Sequence, residues 1–112
     1  MELKVTTQSQ GDHAVMSVAG EIDLYTAPKL HSALTSALTE DHPLRLVVDM
    51  TGVEFCDSTG MNVLLAAQRR AREYGGDLQL AAPRPAIRKI LQVTGLESVF
   101  TVVDSPAAVP GQ

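Results

Sequence analysis

The sequence has little of the chemistry that many classes of protein function require. Its 112 residues contain no tryptophan, only 4% aromatic residues and a single cysteine, Cys56. One thiol can form neither a disulfide framework nor a cysteine-based metal site. We therefore expect no disulfide, no metal and no cofactor, and we interpret Cys56 as a small buried residue and not as a reactive thiol.

Long apolar runs and clustered positive charge are missing as well. No stretch approaches the roughly 18–20 apolar residues that cross a bilayer, and the N-terminus lacks a basic region followed by an apolar run. The net charge is −4, whereas nucleic-acid backbones are held by clustered Lys and Arg. We expect a cytoplasmic protein that binds neither membrane nor nucleic acid directly, and we interpret the basic group Arg69, Arg70 and Arg72 as a solvated helix face.

The length and the hydrophobic pattern predict one α/β domain. A chain of 112 residues with 45% apolar residues can bury one core, so we assign residues 1–112 to a single domain with its core at about 3–109. Strand-like and helix-like segments alternate, which predicts right-handed crossovers and a largely parallel sheet. The expected fold is a mixed sheet of about 4–5 strands with about four helices, in which the first two strands form an antiparallel hairpin.

Periodicity and turn residues place the individual elements. The expected strands are residues 3–7, 13–19, 44–50, 78–82 and 99–103. The expected helices begin near Thr26, at Ser58 or Thr59, at Pro85 and at Ser105, with Thr26 as a side-chain N-cap. Residues 51–57 are expected to form a connector between the third strand and the second helix.

The segment 49–62 is the candidate functional site. It lies at the carboxyl end of the expected central strand and runs into a helix start, which is where α/β sheets bind ligands and partners. Its plain structural interpretation is helix capping, because a short polar side chain accepts hydrogen bonds from the free amides of the first turn. A cap needs one such residue, but this segment offers three in a row, Asp57, Ser58 and Thr59, so a functional role stays open.

Known catalytic motifs do not fit this segment. Its glycines are not followed by the lysine of a phosphate-binding loop, and no glycine lies two residues before Ser58, as a nucleophile elbow requires. The three histidines are expected on an early strand (His13), an outer helix face (His31) and a loop (His42), away from Ser58. We therefore expect a binding protein and not an enzyme; a small hydrolase that uses Ser58 is an alternative that would need a base near that hydroxyl.

Three segments match a known family in the right order along most of residues 13–103. They are Gly20–Asp23, Leu46–Met61, and Gly75–Leu78 followed by Pro85–Leu96. On these segments the chain resembles the STAS domain family, and within it the bacterial anti-sigma factor antagonists. The middle segment is the specific one, because Asp57-Ser58-Thr59-Gly60 fits the Asp-Ser-Ser/Thr-Gly phosphorylation motif of that family.

The resemblance implies a regulatory switch. Ser58 corresponds to the phosphoacceptor, and the implied partner is an anti-sigma factor serine kinase that also holds a sigma factor. The unphosphorylated antagonist binds this kinase and frees the sigma factor, phosphorylation of Ser58 prevents binding, and a serine phosphatase resets the switch. The implied partner-binding residues are Asp23, Asp57, Ser58, Thr59, Gly60, Met61 and Asn62. At position 62 the family often has glycine, so Asn62 is a departure that bears on partner choice.

Two further alternatives remain at this point. The segment ending at Asp23 could be only a turn with an N-terminal cap, whereas the resemblance gives its carboxylate a part in kinase recognition. The chain could also be a STAS scaffold or sensor module in a larger signalling assembly, which would oligomerise or bind a partner that is not a kinase. The antagonist interpretation expects a monomer.

Overall fold

Five strands and three α-helices alternate in the computed structural model, which describes residues 2–10, 13–40 and 45–106. The strands are β1 (Lys4–Gln10), β2 (His13–Ile22), β3 (Arg45–Cys56), β4 (Asp77–Ala81) and β5 (Thr101–Val103). The helices are α1 (Ala27–Ala37), α2 (Ser58–Glu73) and α3 (Pro85–Thr94), and a 3-10 turn spans Leu96–Ser98. The predicted alternation is confirmed, while the fourth helix predicted at 105–109 extends beyond the described residues.

The strands form one sheet in chain order, from β1 to β5. β1 pairs with β2 in antiparallel orientation, and each later strand is parallel to the one before it. This arrangement confirms the expected mixed sheet with an antiparallel N-terminal hairpin. No described helix combines the length and the apolar character that crossing a membrane requires.

The core lies on one face of the sheet. Successive strand residues point to opposite faces, and the alternate residues Leu46, Val48, Leu78 and Leu80 pack with the buried residues of all three helices. Buried residues contributed by the helices include Leu30, Leu34, Leu64, Ala71, Ile87 and Leu91. On the opposite face Val47 and Ala81 form a small separate cluster. Helices therefore cover one face, and the loops that precede them leave the sheet at its carboxyl edge.

β3 is longer than predicted, and the expected connector at 51–57 is wrong. The strand continues to Cys56 because Gly52 accommodates an irregularity in its pairing with β2, where the register shifts between Ser17 and Ala19. A Cβ at Gly52 would lie 2.7 Å from the Ala19 Cβ, so only glycine lets the strands stay this close. Beyond the shift β2 and β3 pair up to Ile22 and Cys56, which brings their ends to one point of the edge.

Candidate functional site

The candidate site lies where β2 and β3 end together. Ile22 and Cys56 are register partners, and the next residues, Asp23 and Asp57, begin the loops to α1 and α2. The Asp57 N–H donates a hydrogen bond of 3.1 Å to the Ile22 carbonyl, which ties the two loop starts to each other. The structure thus places the loop that begins at Asp23 beside the start of α2.

The first turn of α2 has a defined cap. Asp57 is the N-cap residue, and its Oδ1 accepts the Gly60 N–H at 3.0 Å. Ser58 is the first helical residue, so of the two expected starts of this helix, Ser58 and Thr59, the structure has Ser58. Because Asp57 performs the capping, the Ser58 hydroxyl is not needed for it, and Ser58 is exposed and makes no hydrogen bond with its side chain to the described residues.

Gly60 determines how closely the first turn of α2, which carries Ser58, packs against the ends of β2 and β3. A Cβ on Gly60 would lie 2.5 Å from the Ile22 Cγ2 and 2.7 Å from the Cys56 Sγ. Real Cβ atoms do not approach neighbours this closely, so the absence of a side chain lets the helix start directly on the strand ends. Ser58 is therefore placed by close packing between α2 and the ends of β2 and β3.

The predicted binding residues differ in accessibility. Ser58 and Asn62 are exposed on successive turns of α2, and Thr59 is half-buried beside them. Gly60 and Met61 are buried, and the Met61 side chain packs in the core. A partner approaching this edge can therefore contact Ser58 and Asn62 directly, whereas Gly60 and Met61 shape the surface from beneath.

Asp23 organises the loop between β2 and α1. Its Oδ1 accepts the Tyr25 N–H at 2.9 Å and the Thr26 N–H at 3.0 Å. The hydrogen bond from the Thr26 amide contributes most to lowering the pKa of the Asp23 carboxyl, and that from the Tyr25 amide lowers it further. Thr26 occupies the N-cap position of α1, but its hydroxyl oxygen accepts the Asp23 N–H at 2.9 Å, the hydroxyl donates to the Glu21 carbonyl at 2.7 Å, and the side chain accepts no amide of the first helical turn. The expected side-chain cap by Thr26 is therefore wrong, because the loop already uses this hydroxyl.

Exposed apolar side chains flank the site, which the sequence analysis did not single out. Leu24 and Tyr25, at the tip of the loop that Asp23 holds, are 65% and 88% exposed. Phe55 at the end of β3 is exposed too. For Leu24 and Tyr25 the sequence signal is two adjacent apolar residues in an expected loop, which does not reveal exposure.

The ends of β2 and β3 and the loop starts that follow them are acidic. Residues 20–26 and 53–60 contain four carboxylates and no lysine or arginine. These carboxylates belong to Glu21, Asp23, Glu54 and Asp57. None of them forms an ion pair with the described residues, and the described part of the chain holds no group of three or more His, Cys, Asp or Glu that could bind a metal ion. The edge is therefore suited to a partner that supplies positive charge.

The histidines that the structure describes are not placed to activate Ser58. His13 begins β2 at the opposite edge, nine residue steps from Ile22, which is about 30 Å along an extended strand. His31 lies on α1 and lines a groove between α1 and α2 together with Val63 and Arg70, further along α2 than Ser58. Within the described residues the geometry required for a Ser-His nucleophile is absent.

Cys56 lies under the first turn of α2. It is buried, and burial, with a smaller contribution from the Asp57 carboxylate, raises the pKa of its thiol to about 12. The thiolate is the reactive form of cysteine, so at neutral pH this thiol is poorly reactive in the folded protein. The side chain serves packing, as the sequence analysis proposed.

The fold and the site together define a class of protein, a small α/β domain with an exposed serine in the first turn of the helix that follows its central strand. A family model described as "Mlab, STAS domain" matches residues 5–104. The chain belongs to the STAS domain family.

The relatives of this chain specify the branch of the family. The anti-sigma-B factor antagonist of Listeria monocytogenes is 34% identical over 91 residues, which are 81% of this chain and 79% of that protein. A crystal structure of an anti-sigma factor antagonist from Mycobacterium paratuberculosis superposes with a TM-score of 0.83 at 30% identity, covering 95% of this chain and 89% of that chain. The unphosphorylated form of SpoIIAA gives a TM-score of 0.77 at 20% identity over 94% and 92% of the two chains, which shows the shared fold. The resemblance to bacterial anti-sigma factor antagonists is confirmed.

Proposed function

We propose that this protein is an anti-sigma factor antagonist whose partner is an anti-sigma factor serine kinase. The unphosphorylated form binds the kinase and releases the sigma factor, phosphorylation of Ser58 ends the binding, and a serine phosphatase restores it. The observation that supports this proposal is the exposed Ser58 in the first turn of α2, directly after an N-cap, Asp57, that leaves the Ser58 hydroxyl available.

The position of Ser58 suits a reversible phosphate. Transfer would break the bond between the γ-phosphorus of ATP and its bridging oxygen, form a bond from the Ser58 Oγ to that phosphorus, and pass the hydroxyl proton to a base of the kinase. The product carries about −1.5 to −2 charges at neutral pH. A helix N-terminus stabilises negative charge by roughly 0.3–1 kcal/mol, so the folded domain tolerates the phosphate.

The same phosphate opposes the complex. A charged group in an interface must lose its water, and an uncompensated one costs several kcal/mol. A kinase that phosphorylates Ser58 also places nucleotide phosphates against this residue, which adds repulsion between like charges. The site would then switch binding while the domain stays folded.

Phosphopeptide mapping tests which hydroxyl accepts the phosphate. The protein is incubated with labelled ATP and each purified anti-sigma factor kinase of the source organism. Because Ser58 is exposed and Thr59 is half-buried in the same turn, label should appear on wild type and Thr59→Ala and be absent from Ser58→Ala. Label that survives in Ser58→Ala and is lost in Thr59→Ala would overturn the assignment.

The charge of Asp23 is expected to contribute to recognition by the kinase. Asp23→Asn keeps an oxygen that can accept the Tyr25 and Thr26 amides, so the loop should fold normally while the negative charge is lost. We expect phosphorylation or binding to weaken about tenfold or more, because truncating a buried interfacial charge pair costs on the order of 2–5 kcal/mol. The measurement is the initial rate of phosphorylation together with a thermal melt.

Asp49→Asn is the matched control for this experiment. The Asp49 carboxylate makes the same kind of local contact, to the Thr51 N–H at 3.0 Å, but it lies on β3 within the sheet, seven residues before the strand ends. Wild-type kinetics in Asp23→Asn would show that Asp23 serves only the loop, and the proposed surface would then be confined to residues 57–62.

A further inference from the structure

Two large apolar side chains are exposed side by side at the tip of the β2–α1 loop. Leu24 is 65% exposed and Tyr25 is 88% exposed, and we call this pair the apolar tip. Single exposed apolar residues are ordinary on protein surfaces. Tyrosine, however, is enriched among the residues that dominate binding energy in interfaces, and here it lies next to a second apolar side chain at the edge that holds Ser58.

The backbone under the apolar tip is fixed by its own hydrogen bonds. Asp23 accepts the amides of Tyr25 and Thr26 with its carboxylate, and its carbonyl accepts the Ala27 N–H at 2.8 Å. The Thr26 hydroxyl accepts the Asp23 N–H at 2.9 Å and donates to the Glu21 carbonyl. A loop that is ordered before binding loses less conformational entropy when a partner docks, so this geometry favours a contact surface.

The surroundings of the apolar tip indicate the chemistry of its partner. The loop is tied to the start of α2 through the Asp57–Ile22 hydrogen bond, so a protein that covers Ser58 approaches the tip as well. The edge carries four carboxylates and no lysine or arginine in residues 20–26 and 53–60. A matching surface has an apolar pocket for the two side chains and a rim of arginine or lysine.

We propose that Leu24 and Tyr25 are the apolar anchors with which this protein docks on its anti-sigma factor, in an apolar pocket of the kinase that has a basic rim. The inference rests on the proposed function and adds to it the residues that supply affinity. Ser58 then acts as the switch, and the apolar tip supplies contact area that holds the kinase in place.

Affinity measurements on tip variants test this proposal. The probes are the purified anti-sigma factor kinases of the source organism, each titrated with unphosphorylated wild type, Leu24→Ser, Tyr25→Ala and the double variant. We expect at least a tenfold loss of affinity for each single variant and a larger loss for the double variant, toward the kinase that binds wild type. Melting temperatures should stay close to wild type, because both side chains are exposed.

Val93→Ser is the matched control. Val93 is also apolar and 76% exposed, but it lies in the last turn of α3, which returns to the amino edge of the sheet. Its substitution should leave affinity unchanged. If wild type binds a kinase and the tip variants bind it equally well, the docking proposal is wrong while the proposed function stands. If wild type binds none of the kinases, both are overturned.

Discussion

Replacing Ser58 by aspartate is expected to abolish detectable binding to the anti-sigma factor kinase while the domain stays folded. Ser58 is exposed in the first turn of α2, where the helix dipole favours an acidic side chain. Repulsion from Asp57 opposes this gain, so the free energy of unfolding should change by less than about 1 kcal/mol. In the complex the added carboxylate must be desolvated at several kcal/mol, which is on the order of a hundredfold or more in affinity.

Two control variants test whether the effect comes from a negative charge at position 58. One isolates the effect of side-chain size, and the other isolates the effect of the change in net charge. Ser58→Asn adds a side chain of similar size without charge and should bind far better than Ser58→Asp. Ser32→Asp adds the same charge at an exposed position of α1 and should bind like wild type. The measurements are affinity by calorimetry and a thermal melt of each variant. A large drop in the melting temperature of Ser58→Asp, or equal weakening by Ser58→Asn, would contradict a charge switch.

The elements that the sequence predicts best have local signals at both ends. α3 begins at Pro85, whose missing N–H costs nothing in the first turn, and ends before Gly95, which adopts φ +79°. Apolar residues at helical spacing between these two positions, Ile87 and Leu91, are buried. Each of these features depends on a few neighbouring residues, so the chain alone is enough to place the helix.

The errors occur where a distant partner decides the structure. Thr51 and Gly52 have the composition of a turn, but β3 continues through them. Ala19 on β2 leaves no room for a Cβ at position 52, so glycine fits there, and pairing with β2 resumes after the irregularity. The start of α2 offered several equivalent caps, and Asp57 is selected because its N–H is tied to Ile22 on another strand. Register and capping are therefore settled by contacts that local patterns do not contain.

The candidate site divides in the same way. The motif around Ser58 could be found because its residues are contiguous and match a family pattern, and the strand order then places Asp23 beside it. The apolar tip could not be found, since Leu24 and Tyr25 read as ordinary apolar residues until the loop geometry exposes them. Exposure is a tertiary property, and the residues that supply affinity in an interface are often recognisable only by it.

Replacing Gly60 by alanine is expected to destabilise the domain, against the usual preference of helices for alanine. In an exposed helix interior the change would gain up to about 1 kcal/mol. Here the new Cβ would lie 2.5 Å from the Ile22 Cγ2 and 2.7 Å from the Cys56 Sγ, and both side chains are buried on paired strands and cannot move aside easily. Overpacking of this kind costs roughly 1–3 kcal/mol, so the clash should outweigh the gain in propensity.

The displacement that relieves the clash also moves the candidate site. The first turn of α2 must shift away from the strand ends, which carries Ser58 with it, so Gly60→Ala should be phosphorylated more slowly than wild type even where it is fully folded.

Urea denaturation gives the free energy of unfolding, and Asn62→Ala, an exposed change in the same helix, should be neutral or slightly stabilising. In a Cys56→Ala background the cost of Gly60→Ala should shrink, because the Sγ is gone and the two residues are in contact. An unfolding free energy equal to or above that of wild type in Gly60→Ala alone would show that α2 does not depend on this close packing to place Ser58.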